Sequence, residues 1–237
     1  MNAAENKPKA AQQRRSRSTQ AAVLSAAIDV LSEKGYVKFS ARAVATRAGV
    51  SRGALERYFP TKGALLIATV QYAAESANRY AGDIVARGGE QTIDRFLGNI
   101  ETFFFSPIYR AMFELAIAAA TDPTIERVHA PFISLARDAL TGLCVSNLVK
   151  AGYARDKAER FTLLTHNLFR GIFMVETLLP DNMPDRRQVI ETWSHVAEAI
   201  LGPHRRSTSP KPAAEQVDDP DGSSCPAKPA GKSRRKV

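Results

Sequence analysis

Apolar positions recur along this chain every three and four residues, the period of an α-helix packed on one face. The pattern is continuous from Thr19 to Lys34, where Ala22, Val23, Ala26, Ala27, Val30 and Leu31 form one stripe that Gly35 ends. Between Ser40 and Phe59 the spacing predicts two short helices. Val44 and Ala48 share the inner face of the first, Leu55 and Phe59 that of the second. Ala48-Gly49-Val50 is the turn between them, with Gly49 able to take φ > 0 without a Cβ clash. Ser40 and Ser51 stand where a side-chain oxygen accepts an unpaired N–H of a first helical turn. After a second turn at Pro60-Thr61, a long helix is predicted from Lys62 to about Val85, ended by Gly88-Gly89.

Five further helices complete the pattern. They run from Thr92 to about Phe105, from Ser106-Pro107 to about Thr121, from Asp122-Pro123 to about Lys150, from Arg155 to Leu179, and from Pro184 to Leu201. No segment alternates with the period of a strand. The fold class is therefore all-α: a three-helix head containing a helix-turn-helix, joined by one long helix to a helical body, about nine helices in all.

Composition adds boundaries to this outline. Of the 237 residues, 44% are hydrophobic, enough for a packed core. The net charge of +9 is unevenly spread. Residues 1–17 carry five cations against one acid, residues 18–62 seven against three, residues 63–202 thirteen against sixteen, and residues 203–237 eight against four. A cationic first quarter on a mildly acidic body suits a nucleic-acid-binding head, although basic tails on a solubilising surface give the same totals. Residues 1–17 lack large apolar side chains and read as a disordered basic arm, either free or lying along DNA phosphates or in the minor groove. Residues 18–64 are read as the head, with the helix-turn-helix at 40–59, and residues 65–202 as the body. Residues 203–237, rich in Pro, Ser and charge, read as a disordered tail. The basic run from Lys232 to Lys236 is either solvated or a nonspecific phosphate contact.

Cys144 sits in a helical apolar pattern and Cys225 in the tail, with no CxxC and no His/Cys cluster, so no metal and no cofactor is expected. The N-terminus lacks the apolar core of a signal peptide, and no apolar run reaches the ~20 residues of a membrane span. A cytoplasmic protein without a membrane partner is expected.

Ser51, Arg52, Gly53, Glu56 and Arg57 point away from the inner face of the second short helix. A capped helix whose first turn is small and cationic fits a DNA major groove. Thr19, Ala26-Ala27, Leu31, Gly35-Tyr36, Ala45, Ala48-Gly49-Val50-Ser51, Gly53, Leu55, Tyr58-Phe59, Lys62 and Leu65-Leu66 together resemble the DNA-binding domain of the TetR family of transcriptional regulators. The match is ungapped over residues 19–66. Two residues depart from the family pattern. Glu56 stands where the family commonly has Tyr; it either accepts from a cytosine amine or pairs with Arg52 one turn earlier. Gly63 stands where the family usually has Glu. The resemblance implies a homodimer that binds a palindromic operator in double-stranded DNA and responds to a small-molecule effector, usually as a repressor. Arg42, Arg52, Arg57, Tyr58 and Lys62 then hold phosphates or base edges, Ser40 and Ser51 cap helices and touch the DNA backbone, and Gly53 permits close approach. Glu56 completes the reading face.

In the body, aromatic residues concentrate in the first four helices, and a few polar residues interrupt the apolar runs. Three consecutive phenylalanines, Phe103 to Phe105, cannot all face one core. Phe103, Phe104, Tyr109, Phe113, Glu114, Phe132, His166, Asn167 and Arg170 are the candidate effector contacts; any single aromatic among them is better explained as core, and the polar ones can instead pair with each other or with solvent. The resemblance implies that the last two helices form a four-helix bundle with their copies. Gly171, Val175 and Leu178, with Val189, Trp193, Val196 and Ile200, are the candidate interface, against burial of Trp193 within its own chain. Two rival functions stay open. One is a constitutive dimeric DNA binder without a cavity. The other is an all-α enzyme using His166, Glu176 or Cys144, for which no nucleophile–base–orienter spacing is present.

Overall fold

The computed structural model describes residues 6–86, 92–179, 181 and 185–202, and among these it contains nine α-helices and no strand. The helices are α1 (Asn6–Lys34), α2 (Ala41–Ala48), α3 (Arg52–Tyr58), α4 (Lys62–Ala86), α5 (Ile93–Phe104), α6 (Pro107–Ala119), α7 (Pro123–Lys150), α8 (Arg155–Leu178) and α9 (Arg186–Leu201). Their ends follow the local signals. The side-chain oxygens of Ser40, Ser51, Thr92 and Ser106 accept from Ala43, Ala54, Arg95 and Tyr109 N–H, each at 3.2 Å. Asp185 caps α9 through Arg187 N–H at 3.0 Å, while Pro184, expected to open that helix, lies outside the described residues. Gly88 and Gly89, expected to end α4, also lie outside them.

The first helix departs from expectation. It begins at Asn6, not Thr19, so much of the arm expected to be disordered is helical. The expectation was drawn from the lack of apolar residues, which predicts a missing buried face rather than a missing helix. Ala, Gln and Arg dominate residues 10–15 and are strong helix formers. Extending an existing helix adds a hydrogen bond per residue without a second nucleation step. Thr19 lies inside the helix, its hydroxyl donating to the Arg15 carbonyl at 2.9 Å. Residues 1–5 and the tail 203–237 are outside the described residues.

Two apolar cores organise the bundle. The first gathers Val23, Ala27 and Leu31 of α1, Phe39, Val44 of α2, Leu55 of α3 and Leu65 of α4, all at most 1% exposed. Ala111 and Leu115 of α6 and Ile125 of α7 complete it. The expected boundary after residue 64 thus falls inside α4, and packing runs across it. The second core joins Phe96, Leu97, Ile100, Phe103 and Phe104 of α5 to Val145 and Leu148 of α7, Phe161 and Phe169 of α8, and Ala197 and Leu201 of α9. Phe103 and Phe104 both turn inward. Phe105 ends the helix and packs at the margin of the same core, its ring 6.1 Å from that of Phe173 and under the Arg186 guanidinium at 3.9 Å.

Candidate functional site

The outward face of α3 is built by residues that do little for the fold. Leu55 is fully buried and anchors the helix, while Arg52, Gly53, Glu56 and Arg57 are exposed. A Cβ on Gly53 would meet nothing within 4 Å, so nothing in the chain requires glycine there. Glycine inside a helix costs about 1 kcal/mol relative to alanine, so the fold itself gains nothing from it there. Ser40 and Ser51 use their oxygens as caps and keep their hydroxyl protons to donate outward.

Three contacts hold this face in shape. Arg52 Nε donates to Glu56 Oε1 at 2.6 Å, so of the two roles open to Glu56 the unliganded chain takes the intrahelical pair. Arg57 donates to the Tyr58 hydroxyl at 2.9 Å. That phenol is drawn below its ordinary pKa, first by a hydrogen bond with Ser16 and then by Arg57. Ser16 lies on the part of α1 that precedes Thr19, which ties the extended first helix to the end of α3. Lys62 places its ammonium 4.7 Å from the Tyr36 ring centre, and Arg42 is exposed on α2. Arg47, equally cationic, is occupied elsewhere: it binds both carboxylate oxygens of Glu33 and Asp29 Oδ2 (3.4 Å), bracing α2 on α1.

In the body, six of the nine candidate effector contacts line one cavity of about 300 Å³: Phe103, Phe104, Tyr109, Phe113, His166 and Arg170. Burial pushes the Tyr109 phenol above its ordinary pKa, with the Arg170 guanidinium in hydrogen-bond reach opposing it. His166 is 4% exposed, its Nε2 has no hydrogen-bond partner, and burial followed by the charge of Arg170 lowers its pKa from 6.5 to about 4. It is therefore neutral at pH 7.

Three candidates fall elsewhere. Glu114 does not line the cavity: its Oε2 accepts from the Tyr36 N–H at 3.3 Å, under the turn that ends α1. Gly35 takes φ 72° there, and a Cβ on it would stand 2.9 Å from the same carboxylate oxygen. Asn167 is exposed and also leaves the cavity; it donates to the Leu163 carbonyl at 3.0 Å and accepts from Arg170 Nη1 at 3.2 Å. Phe132 belongs to α7, and its side chain lies outside the described residues. Ala77, Met112, Arg137, Leu140 and Met174 also line the cavity and were not anticipated. Met112 could have been found, one turn on from Tyr109. Arg137 is followed by Asp138 in sequence and reads as a solvated charge paired with it.

Helix α6 faces both ways. Tyr109, Met112 and Phe113 line the cavity, while Ala111 and Leu115 enter the core shared with α1 and Glu114 reaches the α1 turn. On α8 the residues Leu164, Gly171, Val175 and Leu178 are exposed, as is Val196 on α9, and Val189 is partly exposed. Trp193 and Ile200 instead pack on their own chain's core. Trp193 stacks on Phe161 (5.7 Å between centres, 7° between planes) and donates to Thr165 Oγ1 at 2.9 Å. The half-buried indole thus has its N–H satisfied within its own chain. No helix among the described residues is long and apolar enough to cross a membrane.

Comparison with known proteins agrees with this architecture. Residues 23–69 match the family model of bacterial regulatory proteins of the tetR family. The chain is 32% identical over 163 residues to the HTH-type transcriptional regulator CymR of Pseudomonas putida, covering 68% of this chain and 80% of that protein. It is 30% identical over 178 residues to an uncharacterized HTH-type transcriptional regulator of Mycobacterium bovis, covering 71% and 88%. Among solved structures, a transcriptional regulator from Rhodococcus sp. Rha1 superposes with a TM-score of 0.53 at 21% identity, over 77% of this chain and 94% of that one. A TetR-family member from Streptomyces coelicolor A3 superposes at 0.51 and 20% identity, over 77% and 98%. The chain belongs to the TetR family of bacterial regulatory proteins, and its helix-turn-helix is that of a DNA-binding transcriptional regulator.

Proposed function

We propose that this protein is a homodimeric repressor in the bacterial cytoplasm. It holds a palindromic operator through the α3 faces of its head (residues 18–64) and lets go when a small, largely apolar effector enters the cavity of the body (residues 65–202). The observation that carries the reading is the double role of α6. One face is cavity wall, and the other is packed with α1 and tied by Glu114 to the Gly35-Tyr36 turn. An effector that prefers a shifted α6 shifts the head with it, because packed interfaces have discrete arrangements rather than continuous give. Only differential affinity for the two arrangements does work here.

The size of the reading helix supports two copies. A seven-residue reading helix spans only a few base pairs, and half-sites on a palindrome lie about 34–36 Å apart per turn of DNA. The exposed apolar residues of α8 at 164, 171, 175 and 178, with Val196 on α9, supply a surface for pairing. The alternative of a constitutive DNA binder is disfavoured by the cavity itself, since close-packed interiors seldom keep a space of about 300 Å³ without use. Nor do the enzyme candidates assemble. Cys144 lines a separate small hollow, with its thiol pushed up to about 12 by burial, and Glu176 pairs with Arg186 at 3.3 Å.

The test is binding of the dimer to its own promoter DNA, wild type against Arg52→Ala and Arg57→Ala. Each substitution is expected to weaken binding at least tenfold, and each lost phosphate contact to reduce the salt slope by about 1. Unchanged affinity and slope would remove α3 as the reading helix.

A further inference from the structure

We infer that the effector cavity is built for a small organic carboxylate with an aromatic or compact apolar body, its charge held by Arg170 with Tyr109 and His166 beside it. The inference rests on the effector reading given above and names the chemistry of the missing partner.

Arg170 carries the argument. Several body arginines pair with acids: Arg186 with Glu101 and Glu176, Arg155 with Glu159, and Arg137, which also lines the cavity, with Asp138. Arg170 lines the cavity with no carboxylate within salt-bridge distance among the described residues. Its neighbours there are the neutral Asn167 carbonyl oxygen and the Tyr109 hydroxyl. A half-buried guanidinium without a counter-charge favours an anion, and its planar fork matches a carboxylate with two parallel hydrogen bonds.

His166 is the second, independent observation. Its Nε2 is buried and unpartnered, on a side chain that lines the same cavity as Arg170. A buried ring nitrogen without a partner costs about 1–3 kcal/mol, and a carboxylate oxygen held at Arg170 offers the acceptor that a protonated Nε2 lacks. The neutral ring can donate without adding a second charge.

The remaining wall excludes the other charge classes. No acid lines the cavity, because Glu114 is turned to the α1 turn, so an organic cation would meet Arg170 and no partner. A phosphate dianion would bring two charges to one uncompensated guanidinium in a mainly apolar space, with desolvation unpaid on the second. A neutral molecule would leave Arg170 as it is. Phe103, Phe104, Met112 and Phe113 present apolar surface to the ligand's body. A cavity of about 300 Å³ lies at the small end of ligand pockets, which suits a compact ligand such as a single ring with a short acid arm.

The experiment is titration calorimetry on the full-length dimer with three sets of probes. The sets are benzoate, phenylacetate and 3-phenylpropionate; the matching amides; and phenethylamine. In parallel, the same probes are added to the protein on its promoter DNA. At least one carboxylate is expected to bind ten times or more tighter than its amide. Arg170→Met is expected to abolish that preference with amide binding unchanged, and Arg170→Lys to restore part of it, which separates charge recognition from a folding defect. Equal or better binding by the amides or the amine overturns the inference. So does a carboxylate preference that survives Arg170→Met, or no binding by any carboxylate up to about 10 mM, weaker than a millimolar effector site. A carboxylate that binds through Arg170 but leaves the DNA complex intact contradicts release by effector, not the anion site. Release by an amide alone does the reverse.

Discussion

The reading face and the cavity use the same side chain in opposite settings. On α3, Arg52 and Arg57 stand in water and are held by neighbours one turn or one residue away. In the body, Arg170 is half-buried, without an acid, next to a neutral histidine. An exposed guanidinium gains little until a phosphate polyanion arrives, and that gain is screened by salt. An enclosed one is screened far less, so its unpaired state is costly and its specificity sharp. On the proposed function, the head suits a large, salt-sensitive partner and the cavity a small one. Helix α6 belongs to both.

The sharpest way to break the comparison is at that shared helix. Leu115→Ala removes a fully packed side chain from the core joining α6 to α1, and denaturant unfolding should show a loss of about 2–5 kcal/mol. A loss below 1 kcal/mol would mean that head and body pack independently. Acid comes next. The folded pKa of His166, about 4, lies below its ordinary 6.5, so the unfolded chain takes up the proton first. Stability is full above pH 6.5 and falls as pH descends toward 4, by about 3 kcal/mol. In His166→Phe that window should flatten, as read by thermal melts across pH.

On the reading face the effects fall on DNA and not on the fold. In Gly53→Leu the new Cβ meets no atom within 4 Å in the free protein and the residue improves helix propensity, so melting should hold or rise. Operator affinity should drop by roughly a hundredfold, from steric exclusion in the groove. Equal affinity in an anisotropy titration would show that this face does not approach DNA closely. The smallest effect is expected for Glu56→Gln, which frees Arg52 from its intrahelical pair. Promoter binding should tighten by roughly three- to tenfold at low salt, and the gain should fade as salt rises.

These regions also differ in how far the sequence discloses them. The head follows from local rules. Caps at Ser40 and Ser51, the Gly49 turn and the inner faces at i, i+4 are all short-range, and the structure realises each. The body depends on which helix meets which. Glu114 has apolar neighbours on both sides in sequence, yet it faces α1 and not the cavity, because the partner of α6 at that point is 78 residues earlier in the chain. The contacts of Trp193 with Phe161 and Thr165 depend in the same way on where α8 lies. Phe103 and Phe104 were recoverable because a helix of their pattern has only one apolar face. Arg137 and Met174 reach the cavity only through the relative placement of α7 and α8.

The central claim is that occupancy of the cavity is read by the head. It can be tested without knowing the effector, by filling the space with a side chain. Ala77 on α4 is 2% exposed and lines the cavity, far in sequence from the reading face. Promoter affinity of the Ala77→Phe dimer should be measured by anisotropy, alongside helicity and sedimentation to establish a folded pair. The account predicts a loss of tenfold or more with α3 untouched; a folded dimer that binds its promoter as tightly as the wild type would contradict it.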